Sequence, residues 1–270
     1  LLMFELDGKG FNTAPFGINL SLNPFKSSEF MMSVGHGGAS LAQEYYAEPN
    51  ESQKKVVEAI KSLNKDYLKM VGYNDADAER MMQAEWAIEH KIGVKTLNQV
   101  ARRNPMLTIH IMTWEQLLKD FKGIDWVAYR DAINYPQDID TVNVSQLEPL
   151  HVVEDILTNT SIDDLKAYME LHIIKAFSGY LSDDFTDRAF EANKIISGVQ
   201  EQKPRWKRAV TEISGSLGET IGKLYVKEYF PETSKQRVYR LVKDLQQAFE
   251  DRLKENPWMS EETKAKALIA

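Results

Sequence analysis

The sequence predicts a mainly α-helical protein, a multi-helix lobe with a small antiparallel β-hairpin near its N-terminus. Two observations predict this fold class. Apolar residues alternate with polar ones only within about residues 11–40, and a period of two is typical of a half-buried strand. From Pro49 onward apolar residues recur at spacings of three and four, often behind a residue that can cap a helix, which indicates amphipathic helices.

The predicted hairpin has one short strand on each side of a polar turn. The first strand alternates through Ile18, Leu20 and Leu22, and the second through Phe30, Met32 and Val34. Residues 23–27 form the turn, and the glycine-rich residues 35–38 close the hairpin. A phosphate-binding loop at residues 35–40 is disfavoured, because Ser40 stands where that pattern needs glycine or alanine and no helix begins at once.

Two helices that form an antiparallel pair are predicted next. Asn50 caps the first, and Gly72 with Asn74 separates it from a second helix that runs to Gly93. Further along, Thr113 and Gln116 predict a capping box. Additional predictions are an Asp125 cap before a short helix, an isolated strand over Thr141–Val144, and helices whose apolar stripes begin at Leu147, Leu165 and Phe185.

A long helix is predicted after Pro204, and we expect it to be largely buried. Its apolar stripe consists of Trp206, Val210, Ile213, Leu217, Ile221 and Leu224. Gly215, Gly218 and Gly222 lie in the same helix, where each is less favourable than alanine by about 1 kcal/mol, so close approach of a neighbouring helix is expected. Pro231 ends this helix, and two more follow, the last cut short at Ala270. No linker separates domains, which predicts a single lobe over residues 1–270.

Composition excludes several classes of function. The 33 lysines and arginines are outnumbered by 40 acidic residues, for a formal charge of -7, which gives no general attraction to nucleic acid. No apolar run approaches the about 20 residues of a membrane-spanning helix. The chain has no cysteine, so disulfides and thiolate metal sites are excluded. Four cations around Trp206 are interpreted as a solvated or salt-bridged helix face.

The sequence offers no catalytic, cofactor-binding or metal-ligating residue. Its histidines are scattered: His36, His90, His110, His151 and His172. Only His151 has carboxylates within helical reach, Glu154 and Asp155, and a zinc site would still need a ligand from elsewhere. His172 precedes two isoleucines and is interpreted as a hydrogen-bonded histidine at the edge of the core. The zinc-binding motif H-E-x-x-H does not occur.

Several sequence blocks resemble the neprilysin and endothelin-converting enzyme family of zinc metallopeptidases, known as M13. Residues 204–208 read PRWKR, residues 216–219 read SLGE, residues 222–226 read GKLYV, and residues 258–264 read WMSEETK. The likeness covers nearly the whole chain and is weakest before residue 50. Animal members have cysteine where this chain has Ala209, so the resemblance implies loss of a family disulfide and a bacterial type of sequence.

The resemblance implies a non-catalytic helical lobe, part of a longer chain. Such a lobe covers the active-site cavity of a zinc metalloendopeptidase and restricts its substrates to peptides. Zinc and the catalytic residues belong to the other lobe, so residues 1–270 are expected to hold no cofactor and to be inactive alone. The implied partners are the catalytic lobe of the same polypeptide and peptide substrates, in the periplasm or outside the cell, with the cytoplasm left open. The alternative is a stand-alone helical protein-interaction domain without peptidase activity.

Overall fold

The computed structural model describes residues 1–269, and the predicted end of the last helix at Ala270 lies outside them. The described residues are mainly α-helical, as the sequence predicts. The α-helices are α1 (Leu2–Gly8), α2 (Glu44–Ala47), α3 (Glu51–Met70), α4 (Asp75–Gly93), α5 (Trp114–Asp120), α6 (Trp126–Ala132), α7 (Leu147–Asn159), α8 (Ile162–Phe177), α9 (Asp183–Ser197), α10 (Arg205–Tyr229), α11 (Glu232–Glu255) and α12 (Glu261–Ile269). Short 3₁₀ turns occupy Ala101–Arg103, Pro105–Leu107 and Ser178–Tyr180.

The β-strands are β1 (Phe16–Asn23), β2 (Lys26–His36), β3 (Ile111–Thr113) and β4 (Thr141–Val144). Strands β1 and β2 form the predicted antiparallel hairpin, with Ile18 opposite Val34 and Leu20 opposite Met32. The turn between them is shorter than predicted, because the strands already pair from Asn23 to Lys26. Strand β2 also runs through His36, which the sequence assigns to the closing loop.

The prediction that Thr141–Val144 is an isolated strand is wrong. Strand β4 is parallel to β2, with Met32 opposite Val142, and antiparallel to β3, with Met112 opposite Val142. The sheet therefore has the order β1-β2-β4-β3. Val142 and Val144 are fully buried in it. Strands β2 and β4 are distant in the sequence, so no local pattern could identify their pairing.

The chain divides into two compact units, residues 1–200 and 201–270. The first unit contains two apolar clusters. One includes Phe16, Met32, Trp126, Val144, Leu150 and Ile156. The other packs α3, α4, α8 and α9 together through Tyr67, Leu68, Met81, Leu171 and Phe185. The single lobe predicted over residues 1–270 stays a prediction, and each unit is described by itself.

The predicted helix starts in the first unit are confirmed at atomic detail. Asn50 accepts hydrogen bonds from the backbone of α3, and the Gln53 side chain completes a capping box. Thr113 and Gln116 form the second box, at α5. Asp125 caps α6 through the backbone amide of Ala128. Because these caps satisfy orphan N–H groups within one turn of sequence, local pattern was enough to predict them.

In the second unit, the prediction that the long helix is largely buried is wrong. Helix α10 has no buried residue, and Trp206 and Leu224 are 65% and 66% exposed. The expected close neighbour of its glycines is also absent from the described residues, because a methyl group at Gly215, Gly218 or Gly222 would meet no atom within 4 Å. Periodicity identified the apolar face of α10 but did not specify a partner for it.

Candidate functional site: a buried polar layer on α4

Helix α4 contributes residues to both apolar clusters of the first unit and also carries two buried glutamates. Ala78, Met81 and Met82 belong to one cluster, and Ile88 and Ile92 belong to the other. Glu85 and Glu89 lie on the same face of the helix, one turn apart, and both are fully buried. Buried carboxylates require hydrogen-bond or charge partners, so each of these two side chains is expected to have such partners on neighbouring elements.

Glu85 is held by residues from two neighbouring helices. Lys175 of α8 donates to Oε1 across 3.0 Å, and Asn64 of α3 donates to Oε2 across 3.2 Å. The pKa of Glu85 is raised to about 7, and burial is the main cause. The charge and hydrogen bond of Glu89 raise it as well, whereas Lys175 lowers it. Burial lowers the pKa of Lys175, but the charges of Glu85 and Glu89 outweigh burial and raise that pKa above its usual value. Lys175 is therefore charged at neutral pH.

Glu89 accepts hydrogen bonds from residues 40–46, the segment that connects the sheet to the helices. Its Oε1 accepts hydrogen bonds from the backbone amide of Ser40 at 3.1 Å and from the hydroxyl of Tyr46 at 2.5 Å. The hydroxyl of Ser40 donates to the same oxygen. The Tyr46 oxygen in turn accepts from the amide of Leu41 at 2.9 Å. Burial and the adjacent Glu89 carboxylate raise the pKa of Tyr46, so Tyr46 remains a hydrogen-bond donor.

Three buried polar atoms around this layer have no hydrogen-bond partner among the described residues. They are Oε2 of Glu89, Nε2 of His172 and the hydroxyl of Tyr168. The expectation that His172 is hydrogen-bonded through its ring is thus wrong for Nε2, which lies 3.7 Å from Oε1 of Glu85. Burial and the positive charge of Lys175 lower the pKa of His172 to about 4. The ring is neutral at physiological pH.

Two surface depressions flank the helices of the first unit. A groove of about 630 Å³ is lined by Leu2, Val71, Tyr73, Met169 and Ile173, and its polar feature is a 2.5 Å hydrogen bond from Tyr73 to Glu170. A smaller pocket of about 230 Å³ surrounds Trp86, which stacks on Tyr46 and lies under the ammonium group of Lys61. Lysine, glutamate, tyrosine and histidine side chains supply the polar lining of the two depressions.

The remaining histidines do not assemble into a site. His151 contacts Glu154 at 3.2 Å on the surface, His110 bonds the backbone of Val144, and His90 bonds the backbone of Tyr46. Within residues 1–269 no three histidine or acidic side chains are grouped so as to hold a metal ion. None of the helices in residues 1–269 has the length and apolar character needed to cross a membrane.

Sequence reasoning missed Glu85, Glu89 and Lys175 as a group. A signal was present: Glu85 falls in the apolar stripe of α4, and Glu89 follows it at the i,i+4 spacing that places two side chains on one helix face. Like charges at that spacing are unfavourable on an exposed helix. Only the tertiary structure brings Lys175 opposite them.

The described residues form a mainly helical fold with a small mixed sheet and a buried polar layer on α4. The chain belongs to peptidase family M13, because the model of that family's N-terminal part matches residues 2–269. Endothelin-converting enzyme 1 of Mus musculus is 28% identical over 264 residues, which are 95% of this chain and 34% of that protein. Neutral endopeptidase of Lactobacillus helveticus is 25% identical over 90% of this chain and 38% of its own length.

Solved structures share the fold. The zinc metalloprotease Zmp1 of Mycobacterium tuberculosis, in complex with an inhibitor, superimposes with a TM-score of 0.85 at 24% identity and covers 98% of this chain and 41% of its own. PepO from Lactobacillus rhamnosis gives a TM-score of 0.80 at 19% identity over 98% of this chain and 42% of its own. The chain thus spans about a third to two fifths of the length of the relatives it matches.

Proposed function

We propose that residues 1–270 are the non-catalytic lobe of a zinc-dependent metalloendopeptidase, and that the lobe covers the active-site cavity and restricts substrates to peptides. The observation that carries the proposal is the family match over residues 2–269 in a chain that spans only 34% and 38% of two peptidase relatives. The parent reaction is hydrolysis of a peptide bond. The lobe contributes access control, and the zinc and the catalytic residues belong to the catalytic lobe.

The exposed apolar face of the second unit supports this role. On α10, Trp206, Leu217 and Leu224 are each more than half exposed. On α11, Leu241, Leu245 and Phe249 are each more than half exposed as well. Large apolar side chains exposed in this number along two helices are typical of a surface that another protein element covers. In the proposed arrangement the covering element is the catalytic lobe of the same polypeptide, so the three glycines of α10 meet their neighbour there.

The alternative function is a stand-alone helical protein-interaction domain without peptidase activity. The same exposed apolar face of α10 and α11 favours it, because a separate protein could cover that surface equally well. The coding sequence after the codon for Ala270 separates the two proposals. An H-E-x-x-H motif within the next few hundred codons supports the peptidase lobe, and a stop codon before any such motif supports the interaction domain.

A biochemical experiment tests whether zinc binding and peptide cleavage belong to the other lobe. The 270-residue chain is expected to bind no stoichiometric zinc after dialysis and to cleave none of a mixture of unstructured peptides. Metal analysis by plasma mass spectrometry and product analysis by mass spectrometry check both statements. One tightly bound zinc per chain, or cleavage that a chelator abolishes, would overturn the assignment of chemistry to the other lobe. The proposed location is the periplasm or the outside of a bacterial cell, with the cytoplasm as the alternative; fractionation of the source cells tests it.

A further inference from the structure

The buried layer on α4 contains more acidic groups than bases to balance them. Glu85 and Glu89 are both fully buried, and the bases within 4 Å of Glu85 in the described part of the chain are Lys175 and His172. Lys175 supplies one positive charge. His172 supplies none above pH 6, because its pKa is about 4. Two ionised glutamates would therefore leave one uncompensated negative charge inside the protein, which is strongly unfavourable.

The hydrogen bonds identify where a compensating proton fits. Lys175 and Asn64 donate to the two oxygens of Glu85. Three donors converge on Oε1 of Glu89, whereas its Oε2 is buried without a donor among the described residues. Glu85 and Glu89 lie one turn apart on the same face of α4, where side chains are neighbours, and Glu89 is among the groups that raise the pKa of Glu85. Two carboxyl groups can hydrogen-bond only when one of them carries a proton, so a proton on Glu85 would give Oε2 of Glu89 its missing donor.

We propose that Glu85 and Glu89 form a proton-binding site, and that the bound proton keeps residues 40–46 docked on α4. The position of residues 40–46 on α4 depends on Glu89, because Ser40 and Tyr46 donate hydrogen bonds directly to that carboxylate. Leu41 donates in turn to the hydroxyl oxygen of Tyr46. When the proton leaves, two adjacent buried carboxylates face a single ammonium group. Opening of residues 40–46 then hydrates Glu89 and relieves the repulsion. The site acts as a latch between the sheet and the helices, independent of the proposed peptidase function.

The titratable groups around the pair come from several elements and are consistent with this role. Helix α8 contributes Lys175, His172 and Tyr168, α2 contributes Tyr46, and α3 contributes Tyr67, which lies close enough to Lys175 to raise its pKa. Burial raises the pKa of Tyr168 well above its usual value, and that of Tyr46 is raised as well. Both of these phenols therefore stay protonated at neutral pH. The charge of Asp7 on α1 also contributes to raising the pKa of Tyr168.

The direction of the pH effect follows from proton linkage. With the latch closed Glu85 retains its proton up to pH about 7. Opening hydrates Glu89, which weakens its repulsion of Glu85 and lowers the pKa of Glu85 in the open state. Opening therefore releases up to one proton, and the opening constant rises with pH below about 7 by at most about tenfold per pH unit. Above about pH 7 neither state holds the proton, and the opening constant becomes independent of pH.

The test is hydrogen exchange of the backbone amides of Ser40 and Leu41 in the 270-residue chain, divided by the intrinsic exchange rate at each pH. The expected result is a protection factor that falls from pH 5.5 to 6.5, by at most about tenfold, and levels off above pH 7. In Glu85→Gln the amide donates permanently to Glu89, and the protection factor is expected to stay constant. The matched control is Glu79→Gln, the same change at a half-exposed position of α4 that pairs with Lys65 and does not contact residues 40–46, and it is expected to keep the pH dependence of the unaltered chain.

A second measurement on the unaltered chain keeps the proposal testable if Glu85→Gln does not fold. Carbon-detected NMR of ¹³C-labelled glutamate is expected to show one carboxyl group that remains protonated at pH 6 and titrates near pH 7. If every glutamate is ionised at pH 6, or if the corrected protection of Ser40 and Leu41 is flat from pH 5.5 to 8, the proposal is wrong. Parallel pH profiles in the unaltered chain and Glu85→Gln would overturn it as well.

Discussion

Gly93, the last residue of α4, lies directly against the ring of Tyr46. A methyl group at Gly93 would lie 2.3 Å from Cδ2 of Tyr46, and the tyrosine is itself buried, since only 3% of it is exposed. Because a rigid buried ring cannot move aside easily, glycine is required here for close packing. This contact places the tyrosine that donates to Glu89.

The first prediction compares two helical glycines, one packed against a buried ring and one in open surroundings. Gly93→Ala is expected to destabilise the chain by about 2 kcal/mol, because overpacking outweighs the gain in helix propensity. Gly215→Ala, on the open face of α10, is expected to increase helix stability by up to about 1 kcal/mol. Urea unfolding followed by far-UV circular dichroism measures both. Equal effects of the two changes would contradict the assigned contact.

The second prediction concerns the ion pair inside the layer. Lys175→Met leaves Glu85 without its cation, and the expected loss of stability is about 3 kcal/mol at pH 8. At pH 5 the loss is expected to be smaller, because Glu85 then takes up a proton. Lys166→Met, on the exposed side of α8, is the control and should change the unfolding midpoint little. A loss that is the same at both pH values would argue against a buried, titrating Glu85.

The third prediction concerns the acid side of the pH profile. The pKa of His172 is lowered from 6.5 to about 4 in the folded chain, so the unfolded chain binds more protons between these values. The folded state therefore loses stability through His172 as the pH falls from 6.5 to 4, by at most about 1.4 kcal/mol per pH unit. In His172→Gln this contribution is absent. Urea midpoints at pH 4.5, 5.5 and 6.5 give the difference in slope.

The control for the third prediction is His151→Gln, because the His151 side chain is 53% exposed. Its slope should equal that of the unaltered chain. Glu85 has the opposite linkage over part of this range, since its raised pKa makes stability fall as the pH rises from 4.5 to 7. Only the difference between His172→Gln and the unaltered chain isolates the histidine. A difference of zero would show that His172 is hydrated in solution.

The fourth prediction tests the first apolar cluster. The indole of Trp126 is fully buried, and its Nε1 donates to the carbonyl of Phe121 across 2.9 Å. Trp126→Phe removes apolar contacts and leaves a buried carbonyl without its donor, so a loss of about 2–3 kcal/mol is expected. Trp258→Phe is the control, because that ring is 78% exposed. Thermal unfolding of both variants measures the contrast, and similar melting temperatures would refute the burial of Trp126.

The sequence by itself determined the features that depend on neighbours a few residues away. The hairpin alternation from Ile18 to Val34, the capping box at Thr113 and the helical periods all follow from contacts within one or two turns. The family blocks from Pro204 onward could likewise be identified without coordinates. These signals were enough for the fold class and the family because both are carried by local pattern and residue order.

Only the tertiary structure decided what each pattern packs against. The pairing of Thr141–Val144 with β2, the burial of Glu85 and Glu89 opposite Lys175, and the exposure of the apolar stripe on α10 all depend on residues distant in the sequence. A hydrophobic period specifies a face and leaves its partner open. The charge of a buried carboxylate likewise depends on neighbours that the fold brings together. For this reason the proton-binding pair, which has no motif in the sequence, emerged from the packing of α4 against α3, α8 and residues 40–46.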